Sequence, residues 1–125
     1  MSKSVQQHIL RLEREEVQAF NHGDIPRAMR MFDKNFVGFS STQHKRIRGL
    51  APLAQTFQYY LKRAPRMSYR IAQPHVHVSG DTAVATFYWT VALGAGRRVH
   101  GRGTHVFARK GSEWRVVHEH FSRAH

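Results

Sequence analysis

Cysteine is absent from all 125 residues, which excludes disulfide staples, thiolate zinc sites and cysteine nucleophiles and suits a reducing interior. Acidic residues are scarce, 8 against 20 lysines and arginines, so the formal charge is +12. Such a balance raises nucleic-acid binding through counterion release. The cations, however, are scattered from Arg11 through Lys45, Arg48, Lys62 and Arg97 to Arg115, with no dense tail and no recognition-helix stripe. That distribution argues for a generally basic surface and against a dedicated nucleic-acid reader. Long apolar runs are also missing. The first thirty residues carry Glu13, Glu15 and Glu16, against the pattern of a secretory signal, and no stretch is long enough to cross a bilayer as a helix. The expectation is a cytoplasmic protein without a membrane partner. A chain of this length buries one core without staples, so residues 1–125 read as one domain.

Val5, Ile9, Leu12, Glu16 and Phe20 recur at spacings of three to four after Ser4 and Gln7, the form of a capping box. This predicts an amphipathic helix from about Val5 to Asn21. Gly23 is a natural left-handed stop, and Asp24 with Pro26 starts a short second helix presenting Ile25, Met29 and Phe32. A short β-like run, Phe36 to Ser40, and a basic loop follow. Leu50, Leu53, Phe57, Tyr60 and Leu61 then mark a third helix, stopped by Pro65.

From Tyr69 the apolar period changes to two. Four strands are predicted, Tyr69 to Val78, Ala83 to Leu93, Arg98 to Arg109 and Trp114 to Phe121, joined by tight turns that require antiparallel neighbours. Helices first and a meander afterward give an α+β fold with helices on one sheet face. The Gly101-Arg102-Gly103 run reads as a bulge or bend that lets the sheet curl.

A two-residue turn at Gly111-Ser112 would pair Phe107 with Val116, His105 with His118 and Gly103 with His120. Strand alternation then puts His105, Phe107, Trp114, Val116, His118 and His120 on one face, and Val106, Ala108, Val117, Glu119 and Phe121 on the other. Three imidazoles on one face could supply nitrogen ligands to zinc. No carboxylate is evident to orient the rings, so no metal and no cofactor is expected. Both faces carry apolar groups, and parity alone leaves the inward one open.

The segments Pro74 to Asp81, Thr104 to Gly111 and Trp114 to Ser122, with their His-x-His spacing, resemble the association (hub) domain of calcium/calmodulin-dependent protein kinase II. More broadly they resemble the SnoaL-like branch of the nuclear-transport-factor-2-like superfamily. The resemblance implies a cone-shaped cystatin-like fold in which three N-terminal helices pack on a curved antiparallel sheet around a pocket. It also implies that the His105 face looks inward, with Phe87, Trp89, Phe107, His118 and His120 beside it and Tyr59 or Tyr60 reaching in from the third helix. Hub domains carry arginines deep in the pocket, and the matching positions here are Trp89 and His105. Anion binding of the hub type is therefore in doubt.

The function expected on these grounds is binding of a small hydrophobic or aromatic ligand by Trp89, Phe87, Phe107, His120, Tyr60 and Glu16. A competing reading is a metal-independent isomerase, cyclase or dehydratase-like lyase in which His105 and His118 are the catalytic acid and base, burial keeping histidine neutral. A third is an oligomeric scaffold or nucleic-acid-associated module. Val106, Ala108, Val117 and Phe121, taken to face outward, predict a homodimer or larger assembly.

Overall fold

The computed structural model describes residues 2–124. Helix α1, Ser2–Asn21, begins ahead of the predicted capping box, so Ser4 lies within the helix. Its buried stripe is Ile9, Glu13, Glu16, Ala19 and Phe20. Asp24 accepts a hydrogen bond from the Arg27 amide at 3.1 Å and caps α2, Ile25–Ala28, whose second residue is Pro26. A 3-10 turn, Met29–Met31, leads directly into strand β1, Phe32–Phe39, so Phe32 opens a strand instead of completing the second helix. Part of the basic loop forms β2, Ile47–Arg48. Helix α3, Leu50–Arg63, buries Leu53 and Phe57 and stops two residues before Pro65, where proline disfavours helical geometry in its predecessor.

The meander follows the predicted limits closely: β3 is Ser68–Ser79, β4 Thr82–Gly94, β5 Arg97–Lys110 and β6 Glu113–Arg123. All six strands join one sheet in the order β2-β1-β6-β5-β4-β3. Among the described residues only the β1–β6 pair is parallel. That pairing places the first strand beside the last, a long-range contact that alternation within the meander does not reveal. The helices cover one face of the sheet, which curves without closing. Asn21 ties the end of α1 to β3 through both backbone groups of Tyr69, at 2.7 and 2.8 Å. No described helix is long and apolar enough to cross a membrane.

Gly101 and Gly103 do not form a bulge, because pairing to β4 and β6 runs through them without a register break. Their reason is close approach. A Cβ at Gly101 would stand 2.7 Å from Trp89 Cζ2 and overlap the Ser122 carbonyl, and one at Gly103 would stand 2.5 Å from Phe87 Cε1. Bare backbone at these two places lets both rings lie flat across β5.

The register break lies between Val106 and Phe107. Lys110 pairs with Glu113 and Phe107 with Val116 as the turn requires, but Val106 pairs with His118, leaving Val117 without a partner. This one extra residue is a β-bulge, and it reverses the parity of everything beyond it.

Candidate functional site

The bulge brings Glu119, not His118, opposite His105. Helix α1 supplies Glu13 from the other side. The His105 Nδ1–H donates to Glu13 Oε2 at 2.7 Å, and Nε2–H donates to Glu119 Oε1 at 2.8 Å. Only an imidazolium donates from both nitrogens to two carboxylates. His105 is 1% exposed, and burial alone would lower its pKa. The Glu13 charge and the hydrogen bonds donated to both carboxylates, with the Glu119 charge, outweigh burial and hold it well above 6.5. The expected neutral base is therefore a fixed cation. Four phenylalanines surround it: Phe87, Phe121, Phe32 and Phe107, with ring centroids 5.3, 5.6, 5.8 and 6.2 Å away. Burial in this shell lowers the local dielectric and strengthens both charged hydrogen bonds.

Beside this charged cluster lies a cavity of about 260 Å³. Glu16, Glu119, Trp89, Phe20, Tyr69 and Phe121 line it from α1 and the sheet, with Phe57 and Tyr60 from α3. Thr42 and Arg123, both exposed, stand at its rim. The Tyr60 hydroxyl is hydrogen-bonded to Thr42. Its walls are mainly apolar, with a few convergent polar groups, the usual character of a small-molecule site.

Glu16 is the polar group most changed by this setting. Burial pushes its pKa up to about 8; His105 opposes that rise, while the Glu13 and Glu119 charges add to it. At neutral pH Glu16 is mostly protonated and can donate a hydrogen bond into the cavity. No hydrogen bond joins its carboxyl to another described residue, and the fully buried polar atoms without a partner are Glu13 Oε1 and the indole N–H of Trp89. Burial, reinforced by the three glutamates, likewise raises Tyr69 well above 10, so its hydroxyl keeps its proton.

The residues singled out from sequence divide accordingly. Glu16, Trp89 and Tyr60 line the cavity, whereas Phe87 and Phe107 are buried around His105 without lining it. His118 and His120 are corrections: both point to the outer face of the sheet, beside Phe39, at ring distances of 6.4 and 5.5 Å. The bulge at Val117 turns them outward, so the three imidazoles share neither a pocket nor a metal geometry. It also turns Phe121 inward against Phe87 and Trp89.

Glu13 and Glu119 were missed. Glu13 sits four residues after Ile9 and three before Glu16, inside the buried stripe, but a polar residue there reads as solvent-facing. For Glu119 the available signal was the Val116-Val117 doublet, which interrupts strand alternation. The basic loop places Lys45, Arg46 and Arg48 along an open groove beside Tyr59 that meets the cavity at Thr42, Thr56 and Tyr60.

The sequence profile of the SnoaL-like domain matches residues 9–125. The chain belongs to the SnoaL-like domain family. Solved structures agree with this SnoaL-like fold over nearly the full length. A nuclear transport factor 2-like protein of unknown function from Pseudomonas putida is 26% identical with a TM-score of 0.90, over 98% of this chain and 88% of that one. A nuclear transport factor 2-like superfamily protein from Salmonella enterica is 20% identical with a TM-score of 0.86, over 100% and 94%. The association domain of the C. elegans calcium/calmodulin-dependent protein kinase II is 20% identical with a TM-score of 0.77, over 96% of each chain. As a SnoaL-like domain the chain thus has the cystatin-like helix-on-sheet architecture, and its own residues decide what the interior recognises.

Proposed function

We propose that this SnoaL-like domain binds a small, largely apolar molecule in the cavity between α1, α3 and the sheet. The observation that carries the reading is the cavity of about 260 Å³ with aromatic walls and two carboxyls, Glu16 and Glu119, on its lining. Trp89 is the natural reporter, because Trp114, the second tryptophan, lies outside that lining. In a Trp114→Phe background, titration with small aromatic compounds is expected to change Trp89 emission saturably. Adding Leu93→Trp, which fills the cavity from β4, is expected to weaken binding at least about tenfold while circular dichroism stays unchanged. For this arm the ligand's affinity is followed by calorimetry, since the new indole also emits. Unaltered affinity in the filled variant would remove the cavity from the account.

Acid/base catalysis of isomerisation, cyclisation or dehydration is the second reading. It is favoured by two carboxyls on one cavity, one of them largely protonated at neutral pH. On this reading Glu16 and Glu119 are the candidate catalytic residues. His105, with both nitrogens occupied, is a positioning residue that holds Glu119 in place.

Self-association belongs to the proposal on reduced grounds, since Phe121 is withdrawn from the outer face. What remains there includes Tyr88, 54% exposed, with the half-buried Val84, Val106, Ala108 and Phe39. A solved neighbour is itself an association domain. Sedimentation at micromolar concentration is expected to give a dimer, and Tyr88→Glu a monomer. We further propose that residues 1–125 act as one unit in the cytoplasm.

A further inference from the structure

We infer that the cavity selects an apolar amine, seating its ammonium group between the Glu16 and Glu119 carboxyls and its hydrocarbon body against Trp89, Phe20 and Tyr69. The inference rests on the small-molecule reading above and adds the charge and class of the ligand.

The first support is a count of charges. Three carboxyls, Glu13, Glu16 and Glu119, share the interior with one cation, His105, and no lysine or arginine is buried among the described residues. The remaining buried acid, Asp33, is paired with Lys110 at 3.0 Å and lies apart from the cavity. With Glu16 protonated the cluster carries one negative charge, and with Glu16 ionised it carries two. A carboxylate ligand would therefore enter a site of its own sign. Arg123 on β6 lines the rim, but its exposure to water screens it from the interior. The basic exterior and the acidic interior thus have opposite characters.

The second support is the unpartnered state of Glu16. Its side chain is only 6% exposed, lines the cavity, and meets no donor among the described residues. An ammonium group supplies three donors and a full charge at the place where one is missing. The third is the wall. Phe20, Phe57, Tyr60, Tyr69, Trp89 and Phe121 line the space, and aromatic rings attract cations most strongly when water is excluded.

This arrangement makes a proton part of binding. In the empty cavity Glu16 holds its proton up to about pH 8. Its neighbours on the cavity side are Glu13 on its own helix, Tyr69 from β3, His105 from β5, Glu119 and Arg123 from β6, and Tyr60 from α3. On its other side Glu16 borders a second pocket with His8 and Glu15 from α1, Arg27 from α2, Arg30 from the 3-10 turn, and Glu113 and Arg115 from β6, none of them buried and all screened by water. Pairing with an ammonium ion requires the carboxylate, so the protonated acid and the ammonium combine to give the ion pair and one released proton. Binding therefore tightens as pH rises toward 8.

The test is calorimetric titration with phenethylamine, 2-phenylethanol and 3-phenylpropionate, which share a ring and differ in the end group. It is run between about pH 6 and about pH 8, in two buffers of different ionisation enthalpy, on the native chain and Glu16→Gln. The expected result at the upper pH is phenethylamine bound at least about tenfold tighter than the alcohol, with the acid weakest. Amine affinity should climb by up to about tenfold per pH unit at the lower end, with close to one proton released. Glu16→Gln should remove the pH dependence of amine binding and cost the amine at the upper pH several-fold more than it costs the alcohol. Equal or tighter binding of the alcohol or the acid overturns the amine inference while the cavity reading stands. Amine binding that is flat in pH and indifferent to Glu16→Gln overturns it equally. Failure of all three compounds to bind overturns both readings.

Discussion

His105→Ala is expected to cost about 3–5 kcal/mol at neutral pH, enough to leave a domain of this size marginal or unfolded. The loss comes less from the imidazole than from what it leaves behind. Glu13 and Glu119 would remain as carboxylates in a shell of phenylalanines, with no cation between them. Substituting both by glutamine on top of His105→Ala should recover part of the loss, because neutral amides tolerate burial better than unpaired charges. Urea denaturation of the three chains checks this, and a single-variant loss below about 1 kcal/mol would show that the cluster carries little energy. The native cluster also has a pH signature. His105 titrates well above 6.5 when folded, so its contribution is complete below the unfolded value and disappears as pH rises through the folded one.

Glu16→Gln is expected to have the next largest effect, and of opposite sign. The Glu16 pKa rises from 4.5 to about 8 on folding, so the folded state binds the proton more tightly. Stability from this group is fully present below about pH 4.5 and falls as pH rises to about 8, by up to about 1.4 kcal/mol per unit. Glutamine is close in shape and has no charge to desolvate. The variant should match the native chain near pH 4.5 and exceed it by several kcal/mol above pH 8. Denaturation midpoints against pH check the prediction: parallel curves for the two chains would mean that Glu16 reaches water. A group that weakens the empty fold at working pH is well placed to gain from a ligand.

How much of this was legible in the sequence depends on the range of the interaction. Helix α1, the Asp24 cap and the four long strands rest on local periodicity and turn chemistry, and all lie within a few residues of their predicted limits. The β1–β6 pairing brings together segments far apart in sequence and had no local trace. Glu16 was recognisable as a cavity residue because it sits on the apolar stripe of α1, and Trp89 and Tyr60 because the family resemblance placed them inward. Glu13 and Glu119 were not, since a charge in a core makes sense only when its partner is known, and the partner is ninety-two residues away for Glu13. The bulge at Val117 exchanged His118 for Glu119 at the decisive position. One unpaired residue thus changed a three-imidazole face into a carboxylate–imidazolium–carboxylate cluster.

The most direct test of the central claim, an interior built around a charged His105, is nitrogen-15 NMR of the labelled histidines at a pH above the ordinary imidazole value of 6.5. One ring should keep both nitrogens protonated at that pH, and His105→Gln should remove its signals. If every imidazole is a neutral tautomer by about pH 7, the charged cluster does not exist, and the anionic character assigned to the cavity goes with it.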